Sequence, residues 1–247
     1  MEAYIGKCLD SLLIPEIDQV EVLVVNDGSK DRSSEIAHGY AYRYPGSIRV
    51  IDKPNGNYGS CINAALPQCT GRYVKVLDAD DTFDTAAFSQ FVRKLCDIES
   101  DVILTPFVVV DDNGSITDIQ GNSIWKVPGD SSLLYADVHK LMAKTFVSMH
   151  RITYKTSLFR KFEYHQTEGF SYSDAQWSII PLSFCDSFRF VDIYLYRYLI
   201  GRPGQTSDSA QISRSMQHYA SVLHDLTEFY LSSKSFANCH RELGIGG

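Results

Sequence analysis

Tyr73-Val-Lys-Val-Leu-Asp-Ala-Asp-Asp-Thr82 is a short apolar run that ends in three carboxylates within four residues. Such a run is typical of a buried β-strand, which would deliver Asp78, Asp80 and Asp81 together at its exposed end. Like charges this close raise one another's pKa unless a cation neutralises them. The run therefore predicts a site for Mg²⁺ or Mn²⁺, which bind one or two carboxylates plus substrate phosphates. Alternatively, one carboxylate caps the helix that follows and its neighbours are solvated.

Strand and helix patterns alternate on both sides of this run up to about residue 110. Apolar residues at helical spacing predict helices in residues 5–13, 36–44, 62–65 and 88–95, and β-branched runs predict strands in 20–25, 48–51, 73–77 and 102–110. The alternation predicts an α/β protein with a mostly parallel, doubly wound sheet flanked by helices. Ligands bind beyond the carboxyl ends of the strands in such sheets. Asn26-Asp27 and residues 78–81 both follow strands, so one cleft can hold both.

The second half of the chain is less regular. Turns and periodicity predict strands near 116–119 and 190–200, a helix over 136–144, a helix that begins at Ser173-Asp174, and a last amphipathic helix with the apolar stripe Met216, Tyr219, Ala220, Leu223, Leu226 and Tyr230. Because no linker stands out, we expect one domain over residues 1–210, with a nucleotide-binding half over 1–110 and an elaborated half over 111–210. A C-terminal helical segment over 211–247 follows it.

Composition limits the classes of function. The chain has 247 residues, of which 44% are hydrophobic and 21% charged, as in an ordinary globular protein. The formal net charge of −7 argues against a general nucleic-acid binder. Six scattered cysteines show no metal-ligand spacing and are typical of reduced thiols in a cytosolic protein. No apolar run approaches the length of a membrane span, and the N-terminus lacks the pattern of a signal peptide.

Several polar residues near the predicted strand ends have two interpretations. Asp27 either hydrogen-bonds its own turn or reaches the N–H edge of a nucleotide base. Lys53 and Arg72 either offset phosphate charge or lie in solvent. A rival interpretation of the opening run is the nucleophile motif Asp78-x-Asp80-x-Thr82 of haloacid dehalogenase-like phosphatases, with Asp78 attacking phosphorus and Asp80 as acid/base. Two strands precede this motif here, whereas the nucleophile strand normally opens the phosphatase domain.

Five motifs in order resemble the family 2 glycosyltransferases, which have the GT-A fold. They are Val24-Val-Asn-Asp-Gly-Ser-Lys-Asp31, Asn55-Gly-Asn-Tyr-Gly59 with Asn63, Gly71-Arg-Tyr-Val-Lys-Val-Leu-Asp-Ala-Asp-Asp81, Tyr172-Ser-Asp174, and Leu195-Tyr-Arg-Tyr-Leu-Ile-Gly-Arg-Pro-Gly-Gln205. The last two are similar to a bacterial subset associated with capsule and exopolysaccharide assembly. The order and spacing of all five carry the resemblance, which covers roughly residues 1 to 210.

The resemblance implies roles for individual residues. Asp27, with Asn26 and Lys53 beside it, matches the nucleotide-binding residues, and Asp78 matches the first Asp of the DxD motif near the ribose. Asp80 matches the ligand of an Mn²⁺ or Mg²⁺ ion on the diphosphate. Asp174 matches the general base of inverting members, although the family often has Glu-Asp where this chain has Ser173-Asp174.

The same resemblance implies a reaction and a setting. The donor is a nucleotide-diphospho-sugar, with UDP usual, and the acceptor is a glycan or lipid-linked glycan bound by the 111–210 half. Transfer of a single sugar is expected, because the Gln-x-x-Arg-Trp motif of processive synthases is absent. The expected location is the cytoplasm, with peripheral contact at the inner face of the membrane and no nucleic-acid partner.

One departure concerns the start of the chain. Family members begin with an apolar strand that contacts the nucleotide and lies centrally in the sheet, whereas residues 1–4 here already lead into the first helix. We expect Met1 to be internal to a longer protein or the gene to be truncated, and the abrupt end at Gly244-Ile-Gly-Gly247 suggests a missing C-terminal extension. Without that strand its neighbours would carry unpaired backbone groups in the core. A catalytically inactive remnant is therefore a third alternative.

Overall fold

The computed structural model describes residues 1–121, 130–134, 146–202, 205 and 216–232. In these ranges the α-helices are α1 (Ile5–Asp10), α2 (Ser33–Arg43), α3 (Asn57–Ala65), α4 (Thr85–Leu95), α5 (Asp174–Ile179) and α6 (Met216–Ser232). The strands are β1 (Val22–Asp27), β2 (Ile48–Lys53), β3 (Tyr73–Val74), β4 (Thr82–Phe83), β5 (Val102–Leu104), β6 (Phe107–Val110), β7 (Ile116–Gln120), β8 (Ser132–Leu134), β9 (Ile152–Lys155), β10 (Ser187–Phe190) and β11 (Tyr196–Leu199).

The predicted α/β class is confirmed, and the sheet pairing is mixed. β1 pairs with β2 in parallel, from Val22 opposite Ile48 to Asp27 opposite Lys53. A second sheet has the order β3-β9-β5-β10-β8, and a third has the order β4-β11-β6-β7. In these two sheets β10 with β5 and β11 with β6 are parallel, while the other pairs are antiparallel. Helices of the α/β alternation flank the sheets, as the sequence predicted.

Two predicted long strands are each divided between sheets. Residues 102–110 were expected to form one strand, but β5 ends at Leu104 and β6 begins at Phe107. Pro106 has no N–H for a ladder, and the Thr105 N–H donates to the Arg151 carbonyl at 3.0 Å instead. The predicted strand over 190–200 is also interrupted, because Phe190 is the last residue of β10 and β11 begins at Tyr196. Each half pairs in parallel with the matching half of 102–110, so the two segments cross between sheets side by side.

Two large apolar clusters hold the elements together. One lies between α1, α2, α4 and the third sheet and includes Leu9, Phe91 and Tyr196. The other lies on the second sheet and includes Tyr154 and Trp177, whose rings meet edge to face with centroids 5.2 Å apart. Burial of this much aromatic and aliphatic area is the main stabilising term of such a domain. The acidic run at residues 78–81 lies where the two clusters meet, with Leu77 against the first and Val76 against the second.

The C-terminal predictions have mixed outcomes. α6 forms where the last helix was predicted, but its expected buried stripe is largely solvent-facing, since Met216, Tyr219, Leu223 and Tyr230 are 42–62% exposed. Val222 is the residue of this helix that is buried. The helix predicted over 136–144 lies outside the described residues. None of the helices in the described ranges has the length and apolar character to span a membrane.

Candidate active site

Asp27, the last residue of β1, organises the loop that follows β2. Its Oδ1 accepts hydrogen bonds from Lys53 Nζ at 2.6 Å and from the Gly56 N–H at 2.9 Å. Its Oδ2 accepts from the Asn57 N–H at 2.9 Å and from Asn55 Nδ2 at 3.0 Å. A carboxylate has about four acceptor sites. The Asp27 carboxylate therefore holds the 55–57 loop in place. Its hydrogen bonds go to this loop and to Lys53, and not to the backbone of its own turn.

Lys53 and Asn26 are also committed to partners within the chain. The Lys53 ammonium donates to Asp27, to the Pro54 carbonyl at 2.7 Å and to Ser60 Oγ at 2.7 Å, which uses all three of its N–H bonds. The Asn26 amide donates to Asp52 at 2.7 Å. These predicted nucleotide-binding residues thus lie together at one end of the parallel pair β1–β2, with their charges balanced by each other.

α3 connects the region around Asp27 with the region around Asp174. A Cβ atom at Gly59 would lie 2.0 Å from the Thr167 carbonyl oxygen, so only glycine permits this approach. One turn later, Asn63 Nδ2 donates to the Gln166 carbonyl at 2.8 Å and Asn63 Oδ1 accepts from the Gln166 N–H at 2.9 Å. The motif of residues 55–63 therefore fixes the loop over 166–169, a role that its sequence alone did not reveal.

The fixed loop positions Asp174. The buried Gln166 side chain donates to the Ser173 carbonyl at 2.8 Å, directly before Asp174 begins α5. Burial raises the pKa of the Asp174 carboxyl, against hydrogen bonds from its own N–H and that of Ala175. The negative charge of Asp174 in turn raises the pKa of Asp78. The two carboxylates, which are far apart in the sequence, thus lie close enough for the charge of one to affect the other.

The acidic run does not cap the helix after it. α4 begins at Thr85, and its N-cap is Asp84, whose carboxylate accepts the Ala87 N–H at 3.0 Å. Capping by an acidic side chain at that position satisfies one of the free N–H groups of the first turn. Asp78, Asp80 and Asp81 are therefore left for other roles.

Asp81 is a structural residue. It is 1% exposed, and its two oxygens accept hydrogen bonds from the Tyr196 hydroxyl at 2.5 Å and the Leu199 N–H at 2.7 Å. Burial raises the pKa of Asp81 to about 7, against the lowering effect of these two bonds. The carboxylate joins the acidic run to β11, which comes more than 110 residues later in the chain.

The Asp78 carboxylate lies beside Asp81 and His150. Its N–H donates to the Tyr196 hydroxyl oxygen at 3.2 Å, and its carboxylate has no hydrogen-bonding partner within the described ranges. Burial raises the pKa of Asp78 well above its usual value, and the charges of Asp81, Asp80 and Asp174 raise it further. An acid of this kind is stabilised as a carboxylate by an added cation or by hydrogen-bond donors.

Asp80, the predicted metal ligand, is paired with an arginine. The Arg202 Nε–H donates to Asp80 Oδ2 at 2.5 Å, and the side chains of Arg202 and Asp80 are only 17% and 10% exposed. Arg202 belongs to the Leu195–Gln205 motif, but this contact spans 122 residues and was not predicted.

His150 is a further residue that sequence reasoning left unplaced. Ligand atoms of Asp78, Asp81 and His150 lie within 4.8 Å of one another. The imidazole packs against the rings of Tyr196 and Tyr198 at 4.8 and 4.4 Å. Burial lowers the pKa of His150 to about 3, assisted by the charges of Lys75 and Arg151, so the ring is neutral. A neutral imidazole has a free nitrogen lone pair that is able to bind a metal ion.

The donor set fits a hard divalent cation. Mg²⁺ and Mn²⁺ prefer carboxylate oxygen. In the described ranges, the ligand atoms that lie within 4.8 Å of one another belong to Asp78, Asp81 and His150, and Asp80, the predicted metal ligand, is outside this group. Asp81 is less suited, because both of its oxygens already serve β11. Displacement of Arg202 would leave Asp80 as an available ligand.

α3 is exposed to the charges of both ends of the predicted site. The pKa of Cys61 on this helix is raised to about 11 by burial and by the charges of Asp27 and Asp78, against Lys53. On the same helix, burial and the charges of Asp78 and Asp174 raise the pKa of Tyr58. A thiol and a phenol on one helix thus respond to all three predicted site regions.

Comparison with known proteins identifies the family. The sequence profile described as Glycosyl transferase family 2 matches residues 2–162, about two thirds of the chain. The chain belongs to glycosyl transferase family 2. The resemblance predicted from the five motifs is confirmed, and the phosphatase interpretation of Asp78 and Asp80 is set aside, because the matched region contains both residues.

Known proteins are similar to parts of this chain. The chain is 36% identical over 103 residues to the uncharacterized glycosyltransferase EpsJ of Bacillus subtilis, and the aligned region covers 42% of this chain and 30% of EpsJ. Among solved structures, S. aureus TarS in complex with UDP-GlcNAc has a TM-score of 0.67 at 20% identity, with 99% of this chain and 73% of that one covered. Mannosyltransferase PcManGT from Pyrobaculum calidifontis, in complex with GDP-Man and Mn²⁺, has a TM-score of 0.58 at 15% identity, with 100% and 73% covered. These structural neighbours establish the GT-A fold.

Proposed function

We propose that this protein transfers a single sugar from a nucleotide-diphospho-sugar, with UDP-sugars as expected donors, to an acceptor hydroxyl in the assembly of a bacterial polysaccharide. The observation that carries the proposal is the unpartnered carboxylate of Asp78, which lies beside Asp80 and is close enough to Asp174 to have its pKa raised by it. Asp78, Asp80 and Asp174 would supply the nucleotide contact, the metal ligand and the general base of such a transfer.

Asp27, Asn26 and Lys53 form the proposed nucleotide end. Asp27 accepts hydrogen bonds from the main-chain N–H groups of Gly56 and Asn57 and from the side-chain amide of Asn55, which is able to rotate away. We expect an N–H of the base to replace Asn55 on Asp27 Oδ2, while the other bonds keep the loop in place. Lys53 then balances the charge of Asp27 as it does now.

Asp80 is the proposed ligand of Mn²⁺ or Mg²⁺, with Asp78 directed at the ribose side. When bound, the metal stabilises negative charge on the departing diphosphate. The fit of an oxygen-rich, acidic donor set supports this proposal. A structural neighbour, PcManGT, is described in complex with GDP-Man and Mn²⁺.

Asp174 is the proposed general base of an inverting reaction. It removes the proton of the acceptor hydroxyl as that oxygen attacks the sugar carbon from the face opposite the diphosphate. Burial raises its pKa, which makes it a stronger base than an exposed aspartate. The acceptor, a glycan or a lipid-linked glycan, would bind on the side of residues 111–210, and the expected compartment is the cytoplasm.

Calorimetric titration with UDP tests the proposal. Wild-type protein should bind UDP at least about tenfold more tightly with Mn²⁺ than with EDTA, a difference of about 1.4 kcal/mol. Asp80→Asn should remove this difference, and the exposed control Asp112→Asn should keep it. Absence of UDP binding by the wild type in both conditions would contradict the proposal and favour the inactive remnant. Metal-dependent phosphate release from simple esters, lost in Asp78→Asn, would favour the phosphatase.

A further inference from the structure

Arg202 and Asp80 form a pair that is sheltered from water. The guanidinium contributes its Nε–H to Asp80 Oδ2, and more than four fifths of each side chain is buried. The guanidinium carbon also lies 5.8 Å from the centre of the Tyr4 ring. Sheltered charge pairs are screened less by salt than surface pairs. Removing one partner of a buried pair leaves an uncompensated charge, which is strongly unfavourable.

The backbone around Arg202 is fastened in place. Gly201 has a φ of +101°, a conformation that glycine adopts without the strain of a side chain. The Gly201 N–H donates to Gln205 Oε1 at 3.1 Å, and Gln205 Nε2 donates to the Leu199 carbonyl at 2.6 Å. Gln205 is 5% exposed, so these bonds are protected from water.

The backbone that precedes Arg202 is also hydrogen-bonded to the acidic run. The Leu199 N–H donates to Asp81, one residue after Asp80. Asp81 therefore fixes the end of β11, and Arg202, three residues after Leu199, returns to Asp80. The bonds of Leu199, Gly201 and Gln205 thus hold the guanidinium at the predicted metal ligand.

Arg202 is the cation that balances this cluster. Its charge opposes the rise in pKa of both Asp78 and Asp81. The neighbouring Lys75 serves another purpose, since its ammonium donates to the carbonyls of His150 at 2.7 Å and Ile152 at 3.1 Å. A divalent ion bound to Asp80 would leave the Arg202 guanidinium without its carboxylate partner and close to a second positive charge.

We propose that Arg202 is a resident counter-cation that a divalent metal displaces from Asp80, and that the displaced guanidinium binds the nucleotide diphosphate, so that metal and nucleotide bind cooperatively. This inference rests on the proposed function. Metal alone binds weakly, because it strands a sheltered guanidinium. Metal with a diphosphate binds well, because the planar guanidinium donates in pairs to phosphate oxygens. Cooperativity of this kind is reciprocal, so each ligand raises the affinity for the other by the same factor.

The test compares wild type, Arg202→Met and Arg202→Lys, with the exposed Arg160→Met as control. Free Mn²⁺, counted by electron paramagnetic resonance, gives the affinity for Mn²⁺ alone, and calorimetry gives the affinity for UDP with Mn²⁺ and with EDTA. The ratio of the two UDP affinities is the coupling factor. Chelation of Mn²⁺ by UDP in solution is the same for every variant, so differences among variants report on the protein.

Arg202→Met should bind Mn²⁺ alone at least about fivefold more tightly than wild type, and its coupling factor should fall at least about fivefold, within the usual range of such couplings. Arg202→Lys keeps the charge but not the paired donors, so its coupling factor should fall while its affinity for Mn²⁺ alone stays near wild type. The lysine variant also carries the test if the methionine variant does not fold, as judged by circular dichroism.

Two results would separate failure of this inference from failure of the proposed function. Wild type that binds UDP with Mn²⁺ but shares its coupling factor with both Arg202 variants would overturn the role of Arg202 alone. Wild type that does not bind UDP in either condition would overturn the proposed function and this inference with it.

Discussion

Asp78, Asp80 and Asp81 are chemically identical neighbours with three different environments. Asp81 is buried against β11, Asp80 is paired with Arg202, and the Asp78 carboxylate lies beside Asp81 and His150. The sequence predicted that these carboxylates form a site, because their spacing at a strand end is local information. It did not predict their division of roles, because Tyr196, Leu199 and Arg202 approach from 115 to 122 residues away.

Asp174 gives a prediction at the residue scale. Asp174→Asn keeps the size of the side chain but removes the base, so turnover should fall about 10²- to 10⁴-fold. The affinity for UDP with Mn²⁺ should stay within about twofold, because Asp174 is not a proposed nucleotide ligand. Turnover is measured as UDP release from a panel of UDP-sugars with glycan acceptors, and Asp112→Asn serves as the exposed control.

The pH dependence of turnover gives a second prediction for Asp174. A base acts only when deprotonated, so wild-type turnover should fall as pH decreases through the raised pKa of Asp174, above the ordinary value of 3.8. Asp174→Asn should lose that acidic limb from its residual activity. If Asp174→Asn turned over as fast as wild type, or kept the same acidic limb, another group would have to take the proton.

The approach of α3 to the 166–169 loop determines the site at the scale of elements. The sequence predicted α3 and the start of α5, because both have clear helical signals. The contact between α3 and the loop could not be predicted, since it depends on a backbone approach at Gly59 and on amide pairing by Asn63. The division of residues 102–110 into β5 and β6 was missed although Pro106 marked it, because the run is apolar on both sides.

Gly59→Ala tests this contact. The new methyl group would overlap the Thr167 carbonyl, so we expect a loss of about 1–3 kcal/mol in the free energy of unfolding, as for other overpacked sites. Gly39→Ala in α2 is the matched control, since a Cβ there meets nothing within 4 Å. That substitution should stabilise the protein by up to about 1 kcal/mol through helix propensity. Urea denaturation of both variants measures the two opposite signs.

Equal effects of the two alanines would contradict the close approach at Gly59. A destabilised Gly59→Ala protein should also lose turnover at temperatures where it remains folded, because the displaced loop carries Gln166 and, through it, Ser173 and Asp174. Retained turnover in the folded variant would mean that the loop does not position Asp174.

At the scale of the whole molecule, two acids of the predicted site have counter-ions within the chain. Lys53 pairs with Asp27 at the end of β1–β2, and Arg202 pairs with Asp80 at the end of the acidic run. The formal net charge of −7 therefore gives little information about Asp27 and Asp80, which are balanced locally. Family membership and the α/β class were predictable because motifs and periodicity are local, whereas these long-range pairs depend on the assembled fold.

The central claim is that one cleft binds a base at Asp27 and a metal-bound diphosphate at Asp80. The most direct measurement is a set of calorimetric titrations of uridine and UDP, with Mn²⁺, into wild type, Asp27→Asn and Asp80→Asn. Asp27→Asn should weaken uridine and UDP alike, whereas Asp80→Asn should weaken UDP at least about tenfold and leave uridine within about twofold, since only UDP carries the diphosphate. Equal affinities of wild type and Asp80→Asn for UDP, or an unchanged affinity of Asp27→Asn for uridine, would contradict the claim.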